Sequence, residues 1–448
     1  MDTSFPSENN ELIRQYDIES NARTYSRFVI NKITSGAGTT LSDEEGNVYI
    51  DCLAGAGTLA LGHNHPAVIT ELKQFLDSGQ ILHGLDFITP VKRKFSEMII
   101  SLFPMEWRDE LKMHYCGPSG ADATEAAMKL FKTATHRSSV IAFHGAYHGM
   151  TNGSMSLTGN LAIKGAISNL MPEVHFFPYP YLYRNPYGKN ADELITISLH
   201  HIYSALTDPN SGIKKPAAMI VEAIQGEGGC IPAPASWLNG LARICEELEI
   251  PLVLDEIQCG IGRSGDMFAF EESGIKPDAI LLSKAVGGGL PMSLVVYNRK
   301  YDCWKPGAHT GTFRGNQMAM AAGYVTLEII KQKNFLDNVR ENGRFFKHLL
   351  NELKLKYPQI GDVRGRGLML GLEMIDPQKN NPLGQPFGDG VLANKIKQKC
   401  YEMGLIVETG GRNDAVIRFL PPLIIDKTLI SQVVAILDTA LKSETDPS

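Results

Sequence analysis

Two residues of this sequence stand where apolar runs end and where a charge is expensive to keep. Lys284 follows the run Ala-Ile-Leu-Leu at 279–282 and a serine, and is itself followed by Gly287, Gly288 and Gly289. Burying an ammonium at the mouth of a strand costs desolvation energy, and covalent or pKa-shifted chemistry is one reason to tolerate it. The plainer alternative is a lysine whose stem lies along apolar surface while its amine reaches water. Asp255 closes the run Pro-Leu-Val-Leu at 251–254 in the same way. It needs a partner, and a protonated pyridine nitrogen would supply both charge and a hydrogen bond, with capping of the next element as the simpler use. Beside such a ring, Ile257 would pack on one face and Gln258 would reach a ring hydroxyl.

Two further segments suit the same kind of ligand. Ser119, Gly120 and Ala121 stand at the start of a helical run at 122–135. The free N–H groups and dipole at such a junction attract an anion such as a phosphate, although a Ser-Gly start also serves as an ordinary cap. Tyr147, His148 and Gly149 follow an apolar run at 140–143. There an aromatic ring could stack on the face opposite Ile257, the alternative being a tyrosine of the core or surface.

Positioning these residues requires a sheet whose strands end together. Between residues 86 and 326, apolar runs at 140–143, 217–222, 251–255 and 279–282 alternate with amphipathic stretches at 122–135 and 236–248. That alternation predicts βα units and a largely parallel sheet. The ends differ: residues 39–52 read as short strands around a turn at 43–47, residues 325–355 as helix, and the remainder as mixed. The expected organisation is α/β, with a large domain at 86–326 and a smaller α+β domain built from 1–85 and 327–448. Residues 175–187, rich in proline and aromatics, and residues 376–390, rich in proline and glycine, read as loops.

Composition narrows the partners. With 43 Lys and Arg against 49 Asp and Glu, the net charge of −6 leaves no electrostatic footprint for nucleic acid, so small molecules are expected. The seven cysteines are scattered without a C-x-x-C pair, which supports neither a disulfide framework nor a zinc site, and no metal is expected. The polar, acidic stretch at 1–12 has no apolar core, and no run approaches the roughly 18 apolar residues of a membrane span. A cytoplasmic protein with no membrane partner is the expectation. Gly260, Gly262 and Gly265 satisfy G-x-G-x-x-G, but Asp255 and Glu256 precede them and no helix opens at Gly265, which weakens a dinucleotide reading.

In this order and spacing the segments resemble the class III aminotransferases, a fold-type I family dependent on pyridoxal 5'-phosphate. The resemblance runs from about residue 21 to about residue 437. Its strongest stretch carries Val253, Asp255, Glu256, Gly260, Gly265, Asp278, Ser283 and Lys284. Gly62-His63-Asn64-His65-Pro66, Gly226-Glu227-Gly228-Gly229, Gly311-Thr312-Phe313 and Arg364-Gly365-Arg366-Gly367 support it. The resemblance implies a large, mainly parallel mixed sheet. It also implies Lys284 as the Schiff-base lysine, Asp255 on the ring nitrogen, Gln258 on the ring hydroxyl, and Ile257, Tyr147 and His148 around the ring. Ser119, Gly120 and Ala121 would hold the phosphate, and Thr312 would reach the phosphate of the neighbouring subunit in a homodimer with shared sites. On the substrate side it implies Glu222, with Arg418 binding the keto acid's carboxylate and Glu227 covering Arg418 when an ω-amine occupies the site. Where many members place proline after Asn316, this sequence has Gln317. The small residues of Asp51-Cys52-Leu53-Ala54-Gly55-Ala56-Gly57-Thr58 look like the branch that moves the distal amine of 2,4-diaminobutyrate to 2-oxoglutarate. Close backbone packing is their plainer use. Ornithine, 4-aminobutyrate and other ω-amines remain alternative donors. The family's aminomutases and decarboxylases share the cofactor site, and a non-catalytic ligand sensor on the same fold would not need Lys284, Asp255 and Gln258 together.

Overall fold

The computed structural model describes residues 15, 17–25, 28–187, 190–382 and 384–445. The acidic stretch at 1–12 lies outside the described residues. Apolar runs too short for a helix and too apolar for a one-sided strand form strands buried on both faces: Val140–Phe143, Ala218–Val221, Leu252–Asp255, which ends in its acid, and Ala279–Leu282. They lie in a seven-stranded sheet in the order Leu111–Tyr115, Leu294–Asn298, Ala279–Leu282, Leu252–Asp255, Ala218–Val221, Val140–Phe143, Val174–Phe177. Every pairing is parallel except the two made by Leu294–Asn298, which runs against both of its neighbours. The sheet is therefore mixed and mainly parallel, as expected.

Helices Gly120–Thr135 and Ala235–Glu247 cover the sheet with the apolar stripes seen in the sequence. Trp237 is fully buried, its ring edge-on to Phe143 at 5.3 Å. The helical stretch expected at 325–355 is two helices, Gln317–Ile330 and Lys333–Lys356, interrupted at Lys331 and Gln332. The first is apolar nearly all round because it packs against Pro66–Asp77, Pro90–Ser101 and the 3₁₀ turn Lys284–Gly287.

The two ends of the chain share a sheet. Ile33–Ala37, Thr40–Asp43 and Val48–Asp51 form an antiparallel set, and Leu405–Ile406 adds to Val48–Asp51 in parallel. Asp43 anchors the predicted turn, accepting from the backbone of Glu45 and Asn47 at 3.0 and 2.8 Å. A third, antiparallel sheet orders Ile360–Arg366, Met369–Asn380, Val416–Phe419 and Glu408–Gly410. Two segments expected as loops contain strands. His175 to Phe177 belong to Val174–Phe177, and the 376–390 segment pairs the end of Met369–Asn380 with Pro386–Gly388. Proline sits there on a sheet margin, where a missing N–H costs little.

Gly323, on Gln317–Ile330, lets that helix approach the turn after Lys284: a Cβ would run into the Val286 carbonyl oxygen and lie 2.9 Å from Phe95 Cε2. Gly323→Ala is expected to destabilise the protein by about 1–3 kcal/mol through overpacking, read as a lowered denaturant midpoint.

Candidate active site

In a doubly wound sheet the loops at the carboxyl ends of parallel strands form the crevice in which ligands bind. The residues singled out next to strands of the large sheet lie at that edge. Ser119 follows Leu111–Tyr115, Tyr147 and His148 follow Val140–Phe143, Glu222 follows Ala218–Val221, Asp255 ends its strand, and Lys284 follows Ala279–Leu282.

Asp255 is 3% exposed and doubly held. Its Oδ1 accepts from the Ile257 N–H at 3.0 Å, and its Oδ2 lies 2.7 Å from His148 Nδ1, which must donate to an ionised carboxylate. Burial works against a charged His148, but the hydrogen bond to Asp255 together with the charges of Asp255 and Glu222 outweighs it and raises the histidine's pKa. His148 is fixed in turn by its own N–H to Thr158 Oγ1 at 3.0 Å and by its carbonyl, which accepts from Thr124 Oγ1 at 3.1 Å. The acid thus has a second residue behind it that settles its orientation.

Lys284 has a left-handed backbone, φ 51°, uncommon for a residue with a side chain. Its Nζ donates to the Ala56 carbonyl at 3.1 Å. Burial holds its pKa below the ordinary lysine value; Glu227, Glu408 and Asp255 oppose that shift and Arg418 adds to it. The amine therefore lies in the field of three carboxylates and a guanidinium. Ala56 sits in four consecutive residues with positive φ, Ala54 to Gly57. Asp51 stabilises that strained turn: its Oδ1 accepts from Leu53 and Ala54 at 2.8 and 2.9 Å, and its Oδ2 pairs with His63 Nε2 at 2.7 Å.

Arg418 is fully buried on Val416–Phe419. Its Nη1 donates to Glu227 Oε1 at 2.8 Å and approaches Glu408 Oε2 at 3.4 Å, and its Nη2 donates to Gln258 Oε1 at 2.8 Å. Burial alone would push the Glu227 carboxyl up, and Arg418 more than reverses it, so its pKa is lowered. Gln258 does not hang free, as a ring-hydroxyl contact would suggest: it links Arg418 to the Ala56 carbonyl through its Nε2 at 3.1 Å. Glu222 is also occupied, accepting from the N–H groups of Tyr147 and Gly226 at 3.1 and 3.0 Å, and burial raises it to about 7.

At the helix start, the Asp122 carboxylate turns back to accept the Ser119 N–H at 2.9 Å. The first-turn N–H groups of Gly120 and Ala121 have no acceptor within the helix. A Cβ on Gly120 would lie 2.9 Å from Ile257 Cδ1, so this turn meets the residue two after Asp255. Thr312 does not join the cluster: it is exposed, in the segment between Arg299–Tyr301 and Gln317–Ile330, and no hydrogen bond ties it to the others among the described residues. Among the described residues no group of His, Cys, Asp or Glu could hold a metal ion, and no helix is long and apolar enough to cross a membrane.

The sequence reading passed over Glu408, Tyr25 and the Ala56 carbonyl. The ring of Tyr25 is exposed, but burial around its hydroxyl, and then Glu408 and Glu227, raise its pKa. Glu408 had one readable signal. It precedes Arg418 at hairpin distance, and the two are cross-strand partners.

Comparison with known proteins agrees with this layout. Residues 21–441 match the family model described as aminotransferase class-III. The chain is 49% identical over 444 residues to the diaminobutyrate–2-oxoglutarate aminotransferase of Rhizobium meliloti, covering 99% of this chain and 94% of that protein. It is 47% identical over 410 residues to the enzyme of the same name from Haemophilus influenzae, covering 91% and 90%. Among solved structures, an amine transaminase from an uncultivated Pseudomonas species superposes with a TM-score of 0.84 at 24% identity, covering 95% of this chain and 98% of that one. A transaminase from a marine Virgibacillus reaches 0.83 at 22%, covering 97% and 98%. The fold is that of the fold-type I transaminases, and the chain belongs to the class III aminotransferases.

Proposed function

We infer that this protein is a pyridoxal-phosphate-dependent aminotransferase. It moves the distal amine of L-2,4-diaminobutyrate to 2-oxoglutarate, reversibly, giving L-aspartate 4-semialdehyde and L-glutamate. The observation that carries the reading is a partly buried lysine, Lys284, at the strand edge that also ends in Asp255, joined through the Ala56 carbonyl and Gln258 to Arg418 and its partner Glu227. The choice of donor rests on the near full-length relatives that bear that activity in their names.

The residues fit pyridoxal phosphate. Lys284 offers an amine for a carbonyl, Asp255 an acid for a ring nitrogen, Ile257 an apolar face, and Tyr147 a ring on the other side. Gly120 and Ala121 offer unpaired N–H groups for a phosphate, with Ser119 beside them. When bound, that cofactor supplies the electron sink for the carbon that loses its proton. Lys284 Nζ would hold the cofactor, and as a free base it would take the proton from the amine-bearing carbon of the donor and later deliver one to the keto carbon of the acceptor. Its lowered pKa favours the free base this requires. Asp255, oriented by His148, would keep the ring nitrogen protonated. Glu222 works from behind, holding the backbone of Tyr147 and Gly226. Gln258 acts through Arg418 as well as toward the ring.

Arg418 and Glu227 let one pocket take two unlike substrates. A guanidinium suits the carboxylate of 2-oxoglutarate, but opposite an ω-amine it would stand unpaired at a desolvation cost. Glu227 covers it in that half of the cycle and swings aside in the other. In the same reading the chain divides into a large domain at 86–326 and a smaller one from 1–85 and 327–448, and acts as a homodimer. Exposed Phe87, Ile88 and Phe313 are the kind of apolar surface a second subunit covers, and Thr312 beside them would reach the neighbour's phosphate. Free cysteines throughout suit a reducing cytoplasm.

Specificity constants for diaminobutyrate, ornithine and 4-aminobutyrate test the donor; diaminobutyrate is expected to lead, and a clear preference for another donor would overturn the substrate assignment while leaving transamination. Lys284→Ala is expected to cut turnover by about a thousandfold or more without unfolding the protein, and borohydride reduction of the wild type should place the cofactor on the Lys284 peptide. For the switch, single-turnover measurements of the two halves are decisive. Arg418→Ala should slow the keto-acid half far more than the amine half, Glu227→Ala the reverse, and equal losses would reduce the pair to scaffolding.

A further inference from the structure

Glu408 leaves a charge in the site that the pair of Glu227 and Arg418 does not balance. One guanidinium meets two carboxylates, and it holds Glu227 at 2.8 Å while its contact with Glu408, at 3.4 Å, is a long and weak hydrogen bond. The other nitrogen of the fork is taken by Gln258. Among the described residues this long contact is the only ion pair Glu408 makes. Two more cations act on it, Lys284 and Lys397. Lys397 turns its amine to Thr409 Oγ1 at 3.2 Å and lies over the Phe28 ring, 4.6 Å from its centroid. Lys284 is the cation facing the site, and its nitrogen is the one the cofactor engages. Glu408 is also rigidly held, because it sits on the strand Glu408–Gly410 directly across from Arg418 rather than on a loop that can swing. Its side chain is 14% exposed, so water does little to solvate it.

We propose that Glu408 is a specificity-determining residue that binds the α-ammonium of the amino donor. The inference rests on the reading above, in which the donor is a diamino acid. While Glu227 covers Arg418 and the cofactor engages Lys284, the carboxylate of Glu408 lacks a cation near the reacting carbon. Diaminobutyrate carries one two carbons along from its distal amine-bearing carbon. 4-Aminobutyrate has a methylene there and leaves Glu408 unpaired, and ornithine holds its ammonium one carbon farther away. The two acids around Arg418 thus have separate tasks: the movable Glu227 masks the guanidinium, and the fixed Glu408 selects the donor.

The test uses the cofactor-loaded enzyme and its Glu408→Gln variant, which keeps size and hydrogen bonding but removes the charge. The ratio of specificity constants for diaminobutyrate over 4-aminobutyrate should fall at least tenfold. The inhibition constant of L-homoserine, which has the α-ammonium but no distal amine, should rise by a similar factor, and that of 4-hydroxybutyrate should stay within a factor of two. Equal losses for both donors, or an unchanged homoserine constant, would overturn the proposal and leave Glu408 as a brace for Arg418. Should the glutamine variant fail to fold, Glu408→Asp retains the charge at shorter reach. A reduced ratio there supports the proposal, and an unchanged one overturns it. If the wild type prefers ornithine, the diaminobutyrate assignment falls, and the ornithine to 4-aminobutyrate ratio decides the role of Glu408 in the same way. A wild type that prefers 4-aminobutyrate defeats both.

Discussion

A guanidinium with no access to water has to find its partners inside the fold, and the arrangement of this protein follows from that requirement at Arg418. Its partners come from three places: Glu227 from the segment after Ile224–Gln225, Gln258 from beyond Leu252–Asp255, and Glu408 from the neighbouring strand of its own sheet. Removing any one would leave a buried charge partly uncompensated, a far larger cost than loss of an exposed ion pair. The antiparallel sheet is accordingly tied to the edge of the seven-stranded one. Gly411 donates to the Glu227 carbonyl at 2.8 Å, Arg412 to the Gly228 carbonyl at 2.8 Å, and Arg364 to the Gly229 carbonyl at 2.7 Å. The loop that carries Glu227 is thus anchored by its backbone while its side chain, 35% exposed, keeps room to move.

The same economy governs the other buried charges. Asp255 does not depend on a ligand for its fold, because His148 and the Ile257 N–H already hold it, and His148 is held in turn by Thr158. Lys284 is less well provided for. Among the described residues its one side-chain hydrogen bond is to a carbonyl in a turn of left-handed residues, which Asp51, paired with His63, helps to hold in place. A well-anchored acid and a loosely anchored amine suit a site where the acid must stay and the amine must come and go.

How much of this was legible in the sequence varied with the range of the interaction. Lys284 and Asp255 were readable because each ends a run of apolar residues, and a doubly buried strand announces itself locally. The capped helix start at Ser119 was readable for the same reason. Glu408 was hardly so: its spacing from Arg418 was the one signal, and the hairpin's strands, at three and four residues, carry almost no periodicity. Gln258 was found but only half understood: its spacing from Asp255 points into the site, whereas its bond to Arg418 depends on a sheet built from the far end of the chain. The 376–390 segment misled because Pro and Gly are turn residues by default, and only the partner strand reveals a hairpin. Small residues at 54–57 invited a packing explanation, and the structure adds that their left-handed backbone aims the Ala56 carbonyl at both Gln258 and Lys284.

The sheet that joins Val48–Asp51 to Leu405–Ile406 has a bearing on how the molecule is made. Its pairing spans most of the chain, and contacts of such long sequence separation form late because loop-closure entropy must be met first. During synthesis the seven-stranded sheet can assemble once Leu294–Asn298 has emerged, while the strand that brings Arg418 is still to come. For that interval Lys284 and the apolar walls around it lie uncovered, which is when a newly made chain is most exposed to aggregation or to premature modification of its amine. The reactive centre is completed only when Val416–Phe419, made well after the seven-stranded sheet, brings Arg418 to it.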